Sequence, residues 1–174
     1  MNEIYRSPYE AYPFLCDPGE DERCDFELFT DEIASQIGLL REKVKNKTIC
    51  QDLLILCELV YHMNPSLRTF VSITQEEKEW LVNKTLQLKE EVSNRCEKFV
   101  LTQGCEAACY AHLLRVQGKS LVRFLYRYME KGNPVDPILI DFANLISQYF
   151  FYLALKLNKM EKREEIPYIS RNYK

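Results

Sequence analysis

The stretch Phe142-Ala-Asn-Leu-Ile-Ser-Gln-Tyr-Phe-Phe-Tyr-Leu-Ala-Leu-Lys-Leu157 decides how the rest of this chain is read. It is apolar nearly all the way round a helical wheel, the pattern of a helix enclosed by others rather than lying on a surface. Extended from Pro137 to Met160, it predicts a central helix that needs neighbours to cover it.

Those neighbours lie upstream. Gly132-Asn-Pro134 ends a long helical pattern running from Glu106 to Lys131. Before it, Thr74-Gln-Glu-Glu77 has the spacing of a capping box and opens a helix through Trp80, Leu81, Leu86, Leu88 and Val92. Ile49, Leu53, Leu56, Cys57 and Val60 mark a helix from Thr48 to Met63, stopped by Asn64-Pro65. Phe26, Phe29, Ile33, Ile37, Leu40 and Val44 recur at threes and fours and mark another from Phe26 to Lys45, with Thr30-Asp31-Glu32 placing acids early in it. Five helices with short connections predict an all-α, antiparallel five-helix bundle. Residues 23–160 form its domain, residues 1–22 an extended arm or loop, and residues 161–174 a tail. The central helix is apolar on more faces than four neighbours would cover, which predicts a trimer.

The chain's 174 residues, 47% of them hydrophobic, fit one domain with a real core. Its 26 acidic and 23 basic residues are interspersed, which leaves no electrostatic footprint for nucleic acid or an anionic membrane. The N-terminus lacks a charged segment followed by an apolar run, and no uninterrupted apolar stretch approaches the ~20 residues that span a bilayer. A cytoplasmic protein without membrane partners is expected. Seven cysteines cannot all pair within one chain, so free thiols are expected. Cys105, Cys109 and His112 share a helical face and could ligate a soft metal, but core packing of small thiols beside a satisfied histidine is the preferred reading, and no metal site is predicted. No motif for a Ser or Cys nucleophile or for a zinc protease occurs.

Arg115, Lys119, Arg123 and Arg127, spaced by four, form a cationic row along one helix face. Such a row suits a polyphosphate, or else is a solvated or salt-bridged face.

Several segments, in order, carry a resemblance. Arg23-Cys-Asp25 precedes Asp31-Glu-Ile-Ala-Ser-Gln-Ile-Gly38, followed by Ile49-Cys-Gln-Asp-Leu53 and Ile73-Thr-Gln-Glu76. Then come Phe99-Val-Leu101, Gly104, His112 and Arg115, and finally Asn144-Leu-Ile-Ser147 with Phe151-Tyr-Leu-Ala154. From about Arg23 to Asn158 the chain resembles the PduO-type ATP:corrinoid adenosyltransferases.

The resemblance implies a trimeric five-helix bundle that binds ATP and a corrinoid such as cobalamin between subunits and transfers the 5′-deoxyadenosyl group to the reduced cobalt centre. It implies catalytic roles for Arg115, Lys119, Arg123 and Asn144, and corrinoid-side roles for Phe99, Gly104, His112 and Gln148. Phe99 matches an aromatic that helps displace the lower cobalt ligand.

This chain departs from the family pattern at several positions, among them Ser120, where the pattern has an arginine. Lys119 replaces an arginine and loses its bidentate fork. Val122 replaces a glutamate. Gln148 replaces an aspartate, so a salt bridge to Arg115 becomes at best a neutral hydrogen bond. The family's glycine-rich phosphate loop has no counterpart in residues 1–22, where Asp17-Pro-Gly-Glu-Asp-Glu22 would repel an anion. These departures put ATP use in question. Three readings stay open: an adenosyltransferase, a catalytically silent homologue that stores, delivers or senses corrinoid or serves a corrinoid-dependent enzyme, and a helical scaffold with neither ligand.

Overall fold

The computed structural model describes residues 4–95, 97 and 99–172. The head of the arm (1–3), Cys96, Lys98 and the last two tail residues lie outside the described residues. Five α-helices follow in order: α1 Arg23–Lys43, α2 Lys47–Met63, α3 Gln75–Glu91, α4 Glu106–Glu130 and α5 Pro137–Met160. Short 3-10 turns at Asn64–Leu67 and Ser93–Arg95 join them. Among the described residues there is no strand, only an isolated antiparallel bridge between Val100 and Pro167.

Local chemistry sets the helix ends. Asn46 caps α2 by accepting from the Ile49 N–H at 3.0 Å. The capping box of α3 is formed in both directions, Glu77 N–H to Thr74 Oγ1 and Thr74 N–H to the Glu77 carboxylate. Asp136 caps α5 ahead of Pro137, whose missing N–H costs nothing at that position. α1 begins three residues before its apolar stripe, at Arg23, because its N-cap Glu22 makes no side-chain bond that would mark the start. The first-turn acid is therefore Asp25, and Asp31 and Glu32 sit further along, beyond the strong part of the helix dipole.

α5 packs most extensively on α4 and also on α3, while α1 pairs with α2 and α4. Phe142, Ile146, Tyr149, Phe150 and Leu153 of α5 are buried in the single chain, each fully buried large side chain contributing roughly 1.5–3 kcal/mol. By length and composition α5 could cross a membrane, yet the bundle encloses most of its large apolar residues and leaves Ile138, Ile140, Leu145, Phe151 and Tyr152 half-buried. The single chain thus covers most of α5, and these half-buried residues are what remains of it for a partner to cover. Exposed apolar residues include Leu28 and Leu39 on α1, Leu54 and Tyr61 on α2, Leu86 on α3, Leu113, Val116, Tyr126 and Met129 on α4, and Met160 at the end of α5.

The arm is folded rather than extended. Turns closed by Leu15 N–H to Tyr12 O and Asp17 N–H to Phe14 O bring it onto the bundle. Arg68 holds it there: the guanidinium donates to both carboxylate oxygens of buried Glu27 at 2.6 and 2.9 Å, reaches Asp17 at 3.0 Å, and lies 3.6 Å over the Phe14 ring.

Candidate functional site

The site is built where α4 and α5 come closest. A Cβ at Gly118 would lie 2.9 Å from the Ser147 backbone nitrogen and 3.0 Å from its Cα, so any larger residue would push the helices apart. Ser147 Oγ fastens the same contact by donating to the Arg115 carbonyl at 2.9 Å. This approach sets Arg115 and Lys119 of α4 beside Ser147, Gln148, Phe151 and Tyr152 of α5. The loop residues Glu97, Phe99, Val100 and Thr102 close the third side of a cavity of about 470 Å³, within the size range of small-molecule sites.

His112 forms part of the cavity wall yet is only 4% exposed, and among the described residues neither ring nitrogen has a hydrogen-bond partner. The histidine is a core residue, as expected, but not a satisfied one. Burial, assisted by the nearby Arg115 charge, pushes its imidazole down to about 4, so it is neutral at ordinary pH and offers one donor and one acceptor. Arg115 is half-buried, its Nε has no partner, and burial lowers its pKa.

A second cavity of about 480 Å³ continues along α4, lined by Phe29, Val116, Lys119, Ser120, Arg123, Phe124 and Arg127. Lys119 belongs to both. Among the described residues none of Arg115, Lys119, Arg123 and Arg127 has an ion-pair partner, whereas Lys43, Arg68, Lys78, Lys84, Arg95, Lys131 and Lys156 all do. The salt-bridged reading of the row therefore fails. Like charges at i,i+4 cost a helix about 0.2–0.5 kcal/mol per pair, so the row opposes folding, and no ion pair among the described residues offsets it.

The remaining expected residues are distributed unevenly. Phe99 is 83% exposed at the cavity edge and is no core residue. Gln148 lines the cavity, but no hydrogen bond joins it to Arg115, so even the neutral replacement for the salt bridge is absent among the described residues. Asn144 lies outside both cavities, exposed, its amide donating to Ile140 O at 2.9 Å. Gly104 also lies outside them; its φ of +134° and the 1.9 Å that would separate a Cβ from Asn158 Oδ1 give it a backbone role instead. Val122 packs on the hydrophobic core. Cys105, Cys109 and His112 do not converge as a metal-ligand set among the described residues. The six described cysteines are free thiols, and Cys96 lies outside the description. Three acids of the arm are engaged within the chain: Asp17 with Arg68, Asp21 with Arg23 and Glu22 with Lys131.

Sequence reasoning missed Gly118, Asn158 and the tail. Gly118 carried a readable signal, since a glycine inside a helix costs ~1 kcal/mol relative to alanine and persists where packing demands it.

No curated protein matches the chain in sequence. Among solved structures, a Phe-to-His variant of the PduO-type ATP:corrinoid adenosyltransferase from Lactobacillus reuteri, complexed with cobalamin and ATP, superposes with a TM-score of 0.80 at 21% identity, covering 95% of this chain and 98% of that one. An Arg-to-Lys variant of the same enzyme, complexed with ATP, superposes with a TM-score of 0.76 at 22% identity, over 86% and 88% of the two chains. At these identities the superpositions establish the shared fold. The family model for cobalamin adenosyltransferase matches residues 20–157, most of the chain and both cavities, and on that match the chain belongs to the cobalamin adenosyltransferase family.

Proposed function

We propose that this protein is an ATP:corrinoid adenosyltransferase whose nucleotide grip has been reduced to the cationic row of α4. The observation that carries the reading is that row: four cations without ion pairs, bordering two connected cavities, with an exposed aromatic at the edge of one. The solved relatives hold ATP and cobalamin.

In the proposed reaction the reduced cobalt of the corrinoid substrate attacks C5′ of ATP and triphosphate leaves. Arg115, Lys119, Arg123 and Arg127 would neutralise the leaving triphosphate, which becomes a better leaving group as its charge is matched. Phe99 supplies bulk without a coordinating atom and would crowd the lower face of the corrin. Phe151 and Tyr152 give the same cavity an apolar wall that excludes water. Neutral His112 would hydrogen-bond a ligand group without adding charge.

The assembly fitting this site is a homotrimer, with the apolar residues of α1 and α4 as the contact face. Free thiols suit a reducing compartment such as the cytoplasm.

Mixing the protein with ATP and chemically reduced cobalamin tests the activity, with formation of the light-sensitive adenosylcorrinoid as the expected result. ATP affinity is expected to be weak, because the phosphate loop and the Val122-position carboxylate are missing. Gln148, unbonded to Arg115, favours a second reading: a homologue that binds corrinoid and delivers it to a corrinoid-dependent enzyme without transferring the adenosyl group. Corrinoid binding with no product under saturating ATP would select it. Binding of neither ligand would leave a scaffold.

A further inference from the structure

Asn158, near the end of α5, is fully buried and joins three separate pieces of chain. Its Oδ1 accepts from the Cys105 N–H at 3.0 Å, at the entry to α4. Its Nδ2 donates to Gln103 O at 3.0 Å and to the Glu165 carboxylate at 3.3 Å. The amide orientation is fixed by chemistry, since an N–H can only donate and a carbonyl only accept. Glu165, with its side chain 8% exposed, also pairs with Arg95 at 3.3 Å, and Arg95 donates in addition to Arg163 O.

These contacts clamp the tail against the segment that carries Phe99. Tyr168 N–H donates to Phe99 O at 2.7 Å, Leu101 N–H donates to Ile166 O at 2.8 Å, and Gln103 Nε2 donates to Glu164 O at 3.1 Å. Phe99 itself is almost bare of side-chain packing, so its position depends on its backbone. That backbone is held by the tail on one side and by Asn158 at its exit. The close approach of Gly104 to Asn158 leaves no slack there.

We infer that Asn158 and Glu165 are positioning residues, a latch that uses the tail to hold Phe99 at the mouth of the α4–α5 cavity. The inference rests on the corrinoid reading for its consequence, but the latch itself can be measured without corrinoid.

The test compares wild type with Glu165→Ala and the conservative Glu165→Gln. Amide hydrogen exchange at Leu101 and Tyr168 reads the latch, and a visible-spectrum titration with reduced cobalamin reads the base-off corrinoid. In Glu165→Ala those two amides are expected to exchange roughly tenfold faster while the α5 core amides stay protected. The base-off signal should fall at least about twofold, with ATP affinity unchanged because the cationic row is untouched. Glu165→Gln, which can still accept from Asn158 and Arg95, should restore both signals. Unchanged exchange at Leu101 and Tyr168 overturns the latch. Faster exchange with a full corrinoid signal overturns the positioning of Phe99. A wild type that leaves the cobalamin spectrum unaltered removes the corrinoid reading instead, and the exchange result then decides the latch alone. If Glu165→Ala loses helix content, Arg95→Gln replaces it with the same expectations, since it breaks the outer half of the pair and spares Asn158.

Discussion

Phe99 and His112 border one cavity, yet the chain treats them in opposite ways: the apolar ring is left in solvent and the polar ring is buried. Both choices oppose folding and make sense toward a ligand. Since Phe99 contributes little to the core, Phe99→Ala should cost about 0.5 kcal/mol or less by thermal melt, as exposed substitutions do. Its effect should appear in the corrinoid spectrum, where the base-off fraction drops. For His112, burial holds the folded-state pKa near 4 against an ordinary 6.5. Below pH 6.5 the unfolded chain takes up a proton that the folded chain refuses, so stability is lost as pH falls from about 6.5 to 4. The loss amounts to roughly 3 kcal/mol at full extent. His112→Leu should flatten that part of the stability profile in denaturant titrations at pH 7, 5.5 and 4.5. A ligand accepting from the imidazole N–H or donating to its lone pair would be expected to change the slope.

At the scale of elements, the α4–α5 contact is the one on which the cavity depends. Gly118→Ala gains ~1 kcal/mol of helix propensity but inserts a methyl against backbone atoms that cannot move aside, an overpacking cost of about 1–3 kcal/mol. A net loss of up to about 2 kcal/mol by chemical denaturation is the expected outcome. Weaker ATP binding should accompany it as Arg115 and Lys119 shift relative to α5. The helices themselves were legible because their signals are local: the period of Phe26 to Leu40, the Thr74 box, and Asn64-Pro65 as a stop. The start of α1 was not, since Glu22 provides no cap. The site was half legible. The four-residue spacing of Arg115 to Arg127 is visible in any helix, and the resemblance pointed to Phe99 and His112. Asn158, Glu165 and Arg68 were hidden because their partners lie up to 70 residues away in sequence or outside the same helix, where no period links them. The tail pairing rests on a single bridge at Pro167, too short to leave an alternating pattern.

For the molecule as a whole, part of the uncovered apolar surface lies on α1 and on α4, the helix that carries the cationic row. Leu28, Glu32 and Leu39 run along one stripe of α1, and Leu113, Val116 and Gln117 along α4, tied by the Gln117-to-Glu32 hydrogen bond at 2.9 Å. A self-association surface there would bury these residues beside the cationic cavity. Light scattering is therefore expected to give three times the 20.6 kDa chain mass, and Val116→Glu to yield folded monomer with weakened ATP binding. A wild-type monomer would count against both the trimer and an intersubunit site. The arm bears on what can be engineered into this protein. Asp17, Phe14 and Glu27 all converge on Arg68, so residues 12–17 are part of the foundation of α1 rather than a detachable leader. Grafting a glycine-rich phosphate loop onto this scaffold would strip Arg68 of two of these three partners and leave its pairing with Glu27 open to water. A successful graft would have to redesign Arg68 and Glu27 together with the loop, as one unit of exchange.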